Sequence, residues 1–372
     1  MKNRVFLVSN IFPLYRRAIW KKLAKSSFFE IEFFFNLYNP MGVKPFQEFQ
    51  DFSNYSKLHF CKGVWFFNKI LFWQTRIVNA ALMSKYDTII LGGDMYNLSI
   101  WLSAVISRLR KKKVVFWSHG FYGNELFLKK LIRHVFYCIS NDHLLYSELA
   151  KERMIKKGFK KENLHVVYNS LEFKNQNRFY KKLKKEKNTI SFFENNSLPL
   201  LIYTGRLIKE KKVDLLINAV IELNNEDKKY NLLIVGDGPK RQYLESLLKK
   251  SSSHNIFFYG SCYNEEEISR LIFFSNLMVS PGNIGLAAIH SLTYGTPVLT
   301  HNNLLNQMPE VESIKENING NLFIENSLES LKLEIKKSIS FNFNKKKCRK
   351  IVKKKYNANF QIKVLNSVIN QL

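Results

Sequence analysis

The sequence predicts an α/β protein of two doubly wound, Rossmann-like domains that face one another across a cleft. Three observations predict it. The chain has 372 residues, more than one hydrophobic core usually serves, and a typical domain of about 150 residues suggests two. Short β-branched or aromatic runs alternate with amphipathic stretches from end to end, the pattern of parallel strands with helical crossovers. The alternation lapses once, after Glu172, into Lys, Asn and Glu with scattered aromatics, and restarts near residue 198.

In the first half the candidate strands are 5–8, 31–35, 88–91, 114–117, 137–140 and 165–168. In the second half they are 200–204, 232–235, 256–259, 277–280 and 297–300, separated by helical segments such as 242–250. There Leu244, Leu247 and Leu248 fall on one face. The expected boundaries are a first domain over 1–172, a connection over 173–197, a second domain over 198–345 and a C-terminal segment over 346–372. In that last segment Ile362, Leu365 and Ile369 form one stripe of a helix.

Composition narrows the function classes. With 46% hydrophobic residues, 14% aromatics and only 8 prolines, a disordered chain is excluded. No apolar run approaches the ~18 residues of a membrane span. The short apolar stretch 5–8 runs straight into Ser9 and Asn10, too little for a signal sequence, and a cytoplasmic protein is expected. Cys61, Cys138, Cys262 and Cys348 show no paired spacing and no histidine at metal spacing, so they read as simple thiols, with no metal site.

Charge points to a polyanion. The 58 Lys and Arg against 30 Asp and Glu give +28, which suits nucleic acid, an anionic membrane surface or a phosphorylated substrate. Nucleic acid fits least, because basic and aromatic residues are dispersed along the chain rather than interleaved on one stretch. Lysine clusters at 111–113, 156–161, 181–187 and 345–355 read mostly as solvated surface.

Ligands of doubly wound sheets bind beyond the carboxyl ends of the strands. After 200–204 come Gly205, Arg206 and, five residues on, Lys211, two cations that suit a diphosphate. After 232–235 come Gly236 and Gly238, which allow close backbone approach or serve a tight turn without a ligand. After 277–280 come Pro281, Gly282, Asn283, Ile284, Gly285 and Leu286, opening a helix whose amides and positive dipole end form an anion site. In the first half, His119 follows a strand, as do Gly92, Gly93 and Asp94. A structural loop histidine and a simple turn are the alternatives. The aromatic segment 64–73, with Trp65, Phe66, Phe67 and Trp73, reads as core or as an interfacial helix drawn to anionic lipid.

The order Gly205-Arg206-Leu207 with Lys211, then Val235-Gly236-Asp237-Gly238-Pro239, then Gly285-Leu286 with Gly295-Thr296-Pro297-Val298 resembles the nucleotide-sugar half of family 4 glycosyltransferases of GT-B fold. Pro309-Glu310 with Asn319-Gly320-Asn321-Leu322, and Val166-Val167-Tyr168-Asn169-Ser170 upstream, extend the resemblance over about 141–323. The first 140 residues match in outline only, and no glycine-rich loop follows the first strand, at 9–15.

The resemblance implies a donor site of Gly205, Gly236, Gly238, Gly282, Asn283, Ile284, Gly285, Leu286 and His290, with the base read by backbone near Gly260, Ser261 and Cys262. It implies catalytic roles for Arg206, Lys211 and His119, the last facing the donor sugar. It implies transfer with retention, without metal or cofactor, from a UDP- or GDP-linked sugar to a lipid-linked or oligosaccharide acceptor held by the first domain. A last helix crossing back to that domain, and surface-polysaccharide assembly at the inner face of the cytoplasmic membrane, belong to the same expectation.

Two positions depart from the family. Its two glutamates, eight residues apart, are replaced here by Gly282 and His290. A neutral His290 can still bond a ribose hydroxyl, one ~5.4 Å turn beyond Leu286 on the same helix face, or it can be a packed helix histidine. A catalytically inactive scaffold that binds nucleotide without turnover is therefore the alternative to an enzyme.

Overall fold

The computed structural model describes residues 2–36, 52, 54–68, 70–83, 85–123, 125–226, 229–251 and 255–370. The chain divides into two compact units, Met1–Glu172 with Asn357–Leu372, and Phe173–Tyr356.

The first unit runs β1 (Asn3–Ile11), α1 (Arg17–Ala24), β2 (Phe29–Asn36), β3 (Lys57–Cys61), β4 (Gly63–Phe66), β5 (Leu71–Gln74), α2 (Ile77–Leu82), β6 (Thr88–Gly92), α3 (Leu98–Leu109), β7 (Lys113–Ser118), α4 (Phe127–Cys138), β8 (Asp142–Leu145), α5 (Glu148–Ile155) and β9 (Leu164–Val166). Seven parallel strands lie in the order β3-β2-β1-β6-β7-β8-β9. Successive residues of β1 serve opposite faces of this sheet, as the period of two demands. Val5 and Leu7 pack with Trp20 and Leu23 of α1. Phe6 and Val8 pack into a second core with Ile100 of α3 and Phe136 of α4.

The second unit runs α6 (Phe173–Leu183), β10 (Leu200–Thr204), α7 (Val213–Asn225), β11 (Asn231–Val235), α8 (Arg241–Ser251), β12 (Ile256–Gly260), α9 (Glu265–Phe274), β13 (Leu277–Ser280), α10 (Leu286–Tyr294), β14 (Val298–His301), β15 (Gly320–Phe323), α11 (Leu328–Ser340) and α12 (Lys345–Lys354). Its six parallel strands lie in the order β12-β11-β10-β13-β14-β15. Strand order reverses between β1 and β6 in one unit and between β10 and β13 in the other, and at such switch points the diverging crossovers leave a crevice.

Four expectations change. The segment 137–140 is no strand: Phe136 and Tyr137 share the buried face of α4 with Arg133, and the strand is β8. A short apolar run fits either period, and here the helix takes it. The stretch 173–197 is no plain connection, since α6 buries Gln176, Tyr180 and Leu183, and Tyr180 meets Phe273 of α9 at 5.7 Å between ring centroids. The segment 64–73 is no helix but part of an antiparallel hairpin, β4 with β5, in which Trp65 stacks on Phe72 at 4.8 Å. Finally, 346–372 divides. Arg349 of α12 donates to the Thr293 carbonyl at 2.7 Å within the second unit, whereas α13 (Ala358–Asn370) buries Leu365, Val368 and Ile369 in the α1 side of the first unit's core.

Candidate functional site

The second unit's crevice is built from loops that interlock through glycines. A Cβ on Gly236 would stand 1.8 Å from the Gly205 carbonyl oxygen, and one on Gly238 would stand 2.5 Å from that of Leu207. Both glycines are therefore required by the neighbouring backbone. The Leu207 amide donates to the Asp237 carbonyl at 2.9 Å and the Gly236 amide to that of Gly260 at 2.8 Å, so the turns after β10, β11 and β12 form one bonded layer.

Lys211 is the pinned cation of this layer. Its Nζ donates to the Asn283 carbonyl at 2.6 Å and to Asn283 Oδ1 at 2.7 Å. Burial, then the nearby Arg206 charge, pull its pKa down to about 8. Arg206 itself is exposed. The buried Glu310 carboxylate opposes that pull on Lys211.

Gly282 and Gly285 look alike in sequence and differ in space. A Cβ on Gly282 would stand 2.1 Å from the Glu210 carbonyl oxygen and 2.7 Å from Lys211 Cα. The backbone that carries Lys211 thus fills the place where a side chain at 282 would go. At Gly285, directly before α10, the nearest atoms would be Met308 Cγ at 3.9 Å and Glu310 Oε2 at 4.0 Å, so there is room. No side chain caps α10, and the Ile284 amide is taken by Gln307 Oε1 at 2.8 Å. Of the pieces expected to meet a donor, Lys211, Asn283 and the start of α10 are brought together.

His290 is neither free nor fully buried. Its Nε2 lies 2.9 Å from Glu265 Oε1 at the start of α9, and the same oxygen accepts from the Tyr294 hydroxyl at 2.6 Å. Burial pushes the Glu265 carboxyl up, but His290, Tyr294 and Gln176 outweigh it and hold the pKa below its ordinary value. Glu265 was not legible as a site residue, because it follows a different strand from His290. Beside it, Gly260 has φ +86°, and Cys262 is half-buried with Sγ 3.3 Å from Glu267 Oε2. Burial and Glu267 push that thiol up to about 11, so it is a proton-bearing group rather than a nucleophile.

The first unit's crevice is a cavity of about 750 Å³ beyond β1, β6 and β7, with His119, Asp94, Arg16, Arg133, Trp117 and Tyr146 in its wall. His119 lies against Tyr146, centroids 4.6 Å apart. Burial, then Arg16 and Arg133, draw its pKa down to about 4 and keep it neutral. Asp94 accepts from Asn10 Nδ2 at 3.1 Å and from the Tyr96 amide at 3.0 Å, so it holds its own turn as well as lining the cavity. Arg133 pairs with Glu125 and Arg16 bonds the Tyr146 hydroxyl. Among the described residues no group of three or more His, Cys, Asp or Glu is placed to hold a metal ion, and no helix is long and apolar enough to cross a membrane.

Residues 184–358 match the family model of the group 1 glycosyl transferases. A GDP-mannose-dependent alpha-(1-6)-phosphatidylinositol dimannoside mannosyltransferase of Mycobacterium tuberculosis is 34% identical over 103 residues, which are 27% of this chain and 26% of that protein. The match thus spans about a quarter of that relative's length. The fold as a whole resembles a lipopolysaccharide outer core galactosyltransferase in its apo form, with a TM-score of 0.71 at 16% identity over 100% of both chains. It equally resembles Anabaena HepE in complex with UDP, with a TM-score of 0.71 at 14% identity over 99% of each.

Proposed function

We propose, for a chain whose residues 184–358 belong to the group 1 glycosyl transferases, a glycosyltransferase of GT-B fold that moves a sugar from a UDP- or GDP-linked donor to a saccharide or lipid-linked acceptor. The observation that carries this reading is the pinned Lys211 ammonium beside the open Gly285 start of α10, at the switch point of the second sheet. In the reaction the bond from the anomeric carbon to the diphosphate oxygen breaks, a bond to the acceptor oxygen forms, and the acceptor's hydroxyl proton passes to the departing diphosphate. Negative charge grows on the departing diphosphate. Lys211, Arg206 and the α10 amides are preorganised to receive it, without reorganisation at the moment of reaction. Retention and independence of metal are part of the proposal.

Ribose recognition is assigned to His290 oriented by Glu265, a histidine whose second nitrogen can face a hydroxyl while the carboxylate holds the first. The first unit's cavity, with neutral His119 and Asp94, is assigned to sugar hydroxyls. Surface-polysaccharide assembly at the inner face of the cytoplasmic membrane is the setting we infer from the basic charge and from the lipopolysaccharide galactosyltransferase among the similar folds.

A second reading, a scaffold that binds nucleotide without turnover, draws on the filled position at Gly282. Calorimetric titration with UDP and GDP, followed by release of sugar from a panel of nucleotide sugars with candidate acceptors, tests both. Binding with turnover supports the enzyme, binding without turnover on any pair supports the scaffold, and no binding of either nucleotide sinks the donor site.

A further inference from the structure

We propose that the outer face of α3 and α4 in the first unit docks on an anionic bilayer. The inference rests on the membrane setting above and places the contact on helices that the sequence reading did not single out. On α3, Leu98, Leu102, Val105 and Leu109 form one stripe open to solvent, with Leu109 79% exposed, while Ile100, Ser103, Ala104 and Ser107 are buried behind it. On α4, Phe127, Leu128, Leu131, Ile132 and Val135 are likewise open, Phe127 at 82%, while Arg133, Phe136 and Tyr137 are buried. Single exposed leucines are ordinary, but two neighbouring helices with apolar outer stripes are not.

The stripes share one face. Ile100 and Phe136 enter the same core, and Trp101 of α3 meets Phe136 of α4 at 4.8 Å. The hairpin continues from it, because the Phe72 amide donates to the Tyr96 carbonyl at 3.0 Å just ahead of α3, and its turn exposes Phe67 and Ile70.

Charge selects the occupant. Between residues 95 and 141 lie Arg108, Arg110, Lys111, Lys112, Lys113, Lys129, Lys130 and Arg133; Lys112 and Lys113 are paired with Asp87 and Asp142, and Glu125, the carboxylate of this stretch, is buried against Arg133. Arg108, Arg110, Lys111 and Lys129 are exposed around the apolar stripes. A second copy of the chain would set cation against cation, and a nucleic acid would have no use for the leucines. An anionic lipid surface uses both, the acyl boundary taking the apolar stripe and the headgroups the cations.

The test is sedimentation of the full chain with vesicles of phosphatidylcholine, with and without phosphatidylglycerol, alongside melting temperature and UDP and GDP titration. The wild type is expected to sediment with the anionic vesicles only, less so as salt rises. R108Q/R110Q/K111Q is expected to lower partitioning on the order of a hundredfold, each cation near the surface being worth about fivefold. L109S/L128S/L131S is expected to keep low-salt association and to lose the salt-resistant part. Both variants should melt and bind nucleotide as the wild type does. Should the leucine variant fail to fold, the charge variant alone decides. The proposal is overturned by a wild type that stays in the supernatant with anionic vesicles at low salt, by a folded charge variant that sediments undiminished, or by a lipid-free dimer that the leucine substitutions dissociate. Wild-type sedimentation without nucleotide binding would remove the donor site and leave this face standing.

Discussion

The two switch points of this molecule are built from different material. In the second unit the crevice is a layer of backbone, with Gly236 on Gly205, Gly238 on Leu207 and Gly282 on Glu210 and Lys211, and it carries few side chains. In the first unit the crevice is a cavity walled by side chains, among them Arg16, Arg133, Trp117, His119 and Tyr146. A backbone-built site suits a ligand part common to many substrates, such as a diphosphate, whereas a side-chain-built one can be reshaped residue by residue for a variable partner. The difference also decides how each responds to substitution.

The largest expected effect breaks the backbone layer. Gly282→Glu would place a carboxylate where the family resemblance expects one, yet its Cβ would enter the backbone of residues 210–211. We expect a loss of about 3 kcal/mol or more of stability, from overpacking beside a partly buried charge, and no gain in donor affinity. The counterpart in the first unit is Gly92, where a Cβ would meet only the Val8 carbonyl oxygen at 3.9 Å. Gly92→Ala is expected to change stability by no more than about 0.5 kcal/mol. Melting curves of the pair settle it: a well-folded Gly282→Glu protein would mean that residues 210–211 do not fill that position.

Next in size is the loss of the pinned cation. Lys211→Ala removes the charge-assisted contact proposed for the diphosphate and should weaken UDP or GDP binding by about 1.5 to 3 kcal/mol, with a smaller loss in the same direction for the exposed Arg206→Ala. Titration calorimetry reads both. Unchanged affinity in the two variants would remove the donor from this crevice.

The pair on α9 and α10 sharpens the comparison further, because there the second unit's site rests on contacts between side chains rather than on backbone. His290→Glu would put a carboxylate close to Glu265. We expect it to destabilise the protein near neutral pH by about 1 to 2 kcal/mol and to recover as the pH falls and one carboxyl of the pair takes a proton. Glu265→Gln added to His290→Glu should restore stability at neutral pH. His290→Ala should lower donor affinity with little change in melting. If it lowers melting and spares affinity, His290 is a structural partner of Glu265 and no part of the site.

The same contrast explains what was legible in the sequence. Backbone layers need glycine, and glycine after a strand can be read, so Gly205, Gly236, Gly282 and Gly285 stood out together with the cations between them. Their spatial roles are not written in the sequence: the fold separates Gly282, pressed on Lys211, from Gly285, which opens to space. The first unit's cavity draws Arg16, Arg133 and Tyr146 from three separate segments, and no local spacing joins them. Only His119 and the turn at Asp94 were visible there, each because it directly follows a strand. Residues 137–140 misled for a related reason, since Phe136 and Tyr137 are apolar in either period and it is the burial of Arg133 one turn earlier that shows the helix.

The smallest expected effect is a pH dependence. Burial, then the Arg206 charge, draw the Lys211 pKa from its ordinary 10.5 down to about 8. A lowered cation contributes stability that is present above the unfolded pKa and lost as the pH falls through the folded one, so below about pH 8 the protein without donor holds an unfavourable buried charge. That charge is what a diphosphate needs. Donor affinity should therefore be greatest below about pH 8 and fall by up to about tenfold per pH unit above it, until the unbound amine no longer contributes. Lys211→Met should flatten this profile, lower the affinity, and leave the melting temperature of the free protein at neutral pH equal to or above that of the wild type, since the lost bonds to Asn283 are offset by relief of the buried charge. A variant that melts markedly lower while keeping the wild-type pH profile would mean that Lys211 serves the fold and that the diphosphate is held by something else.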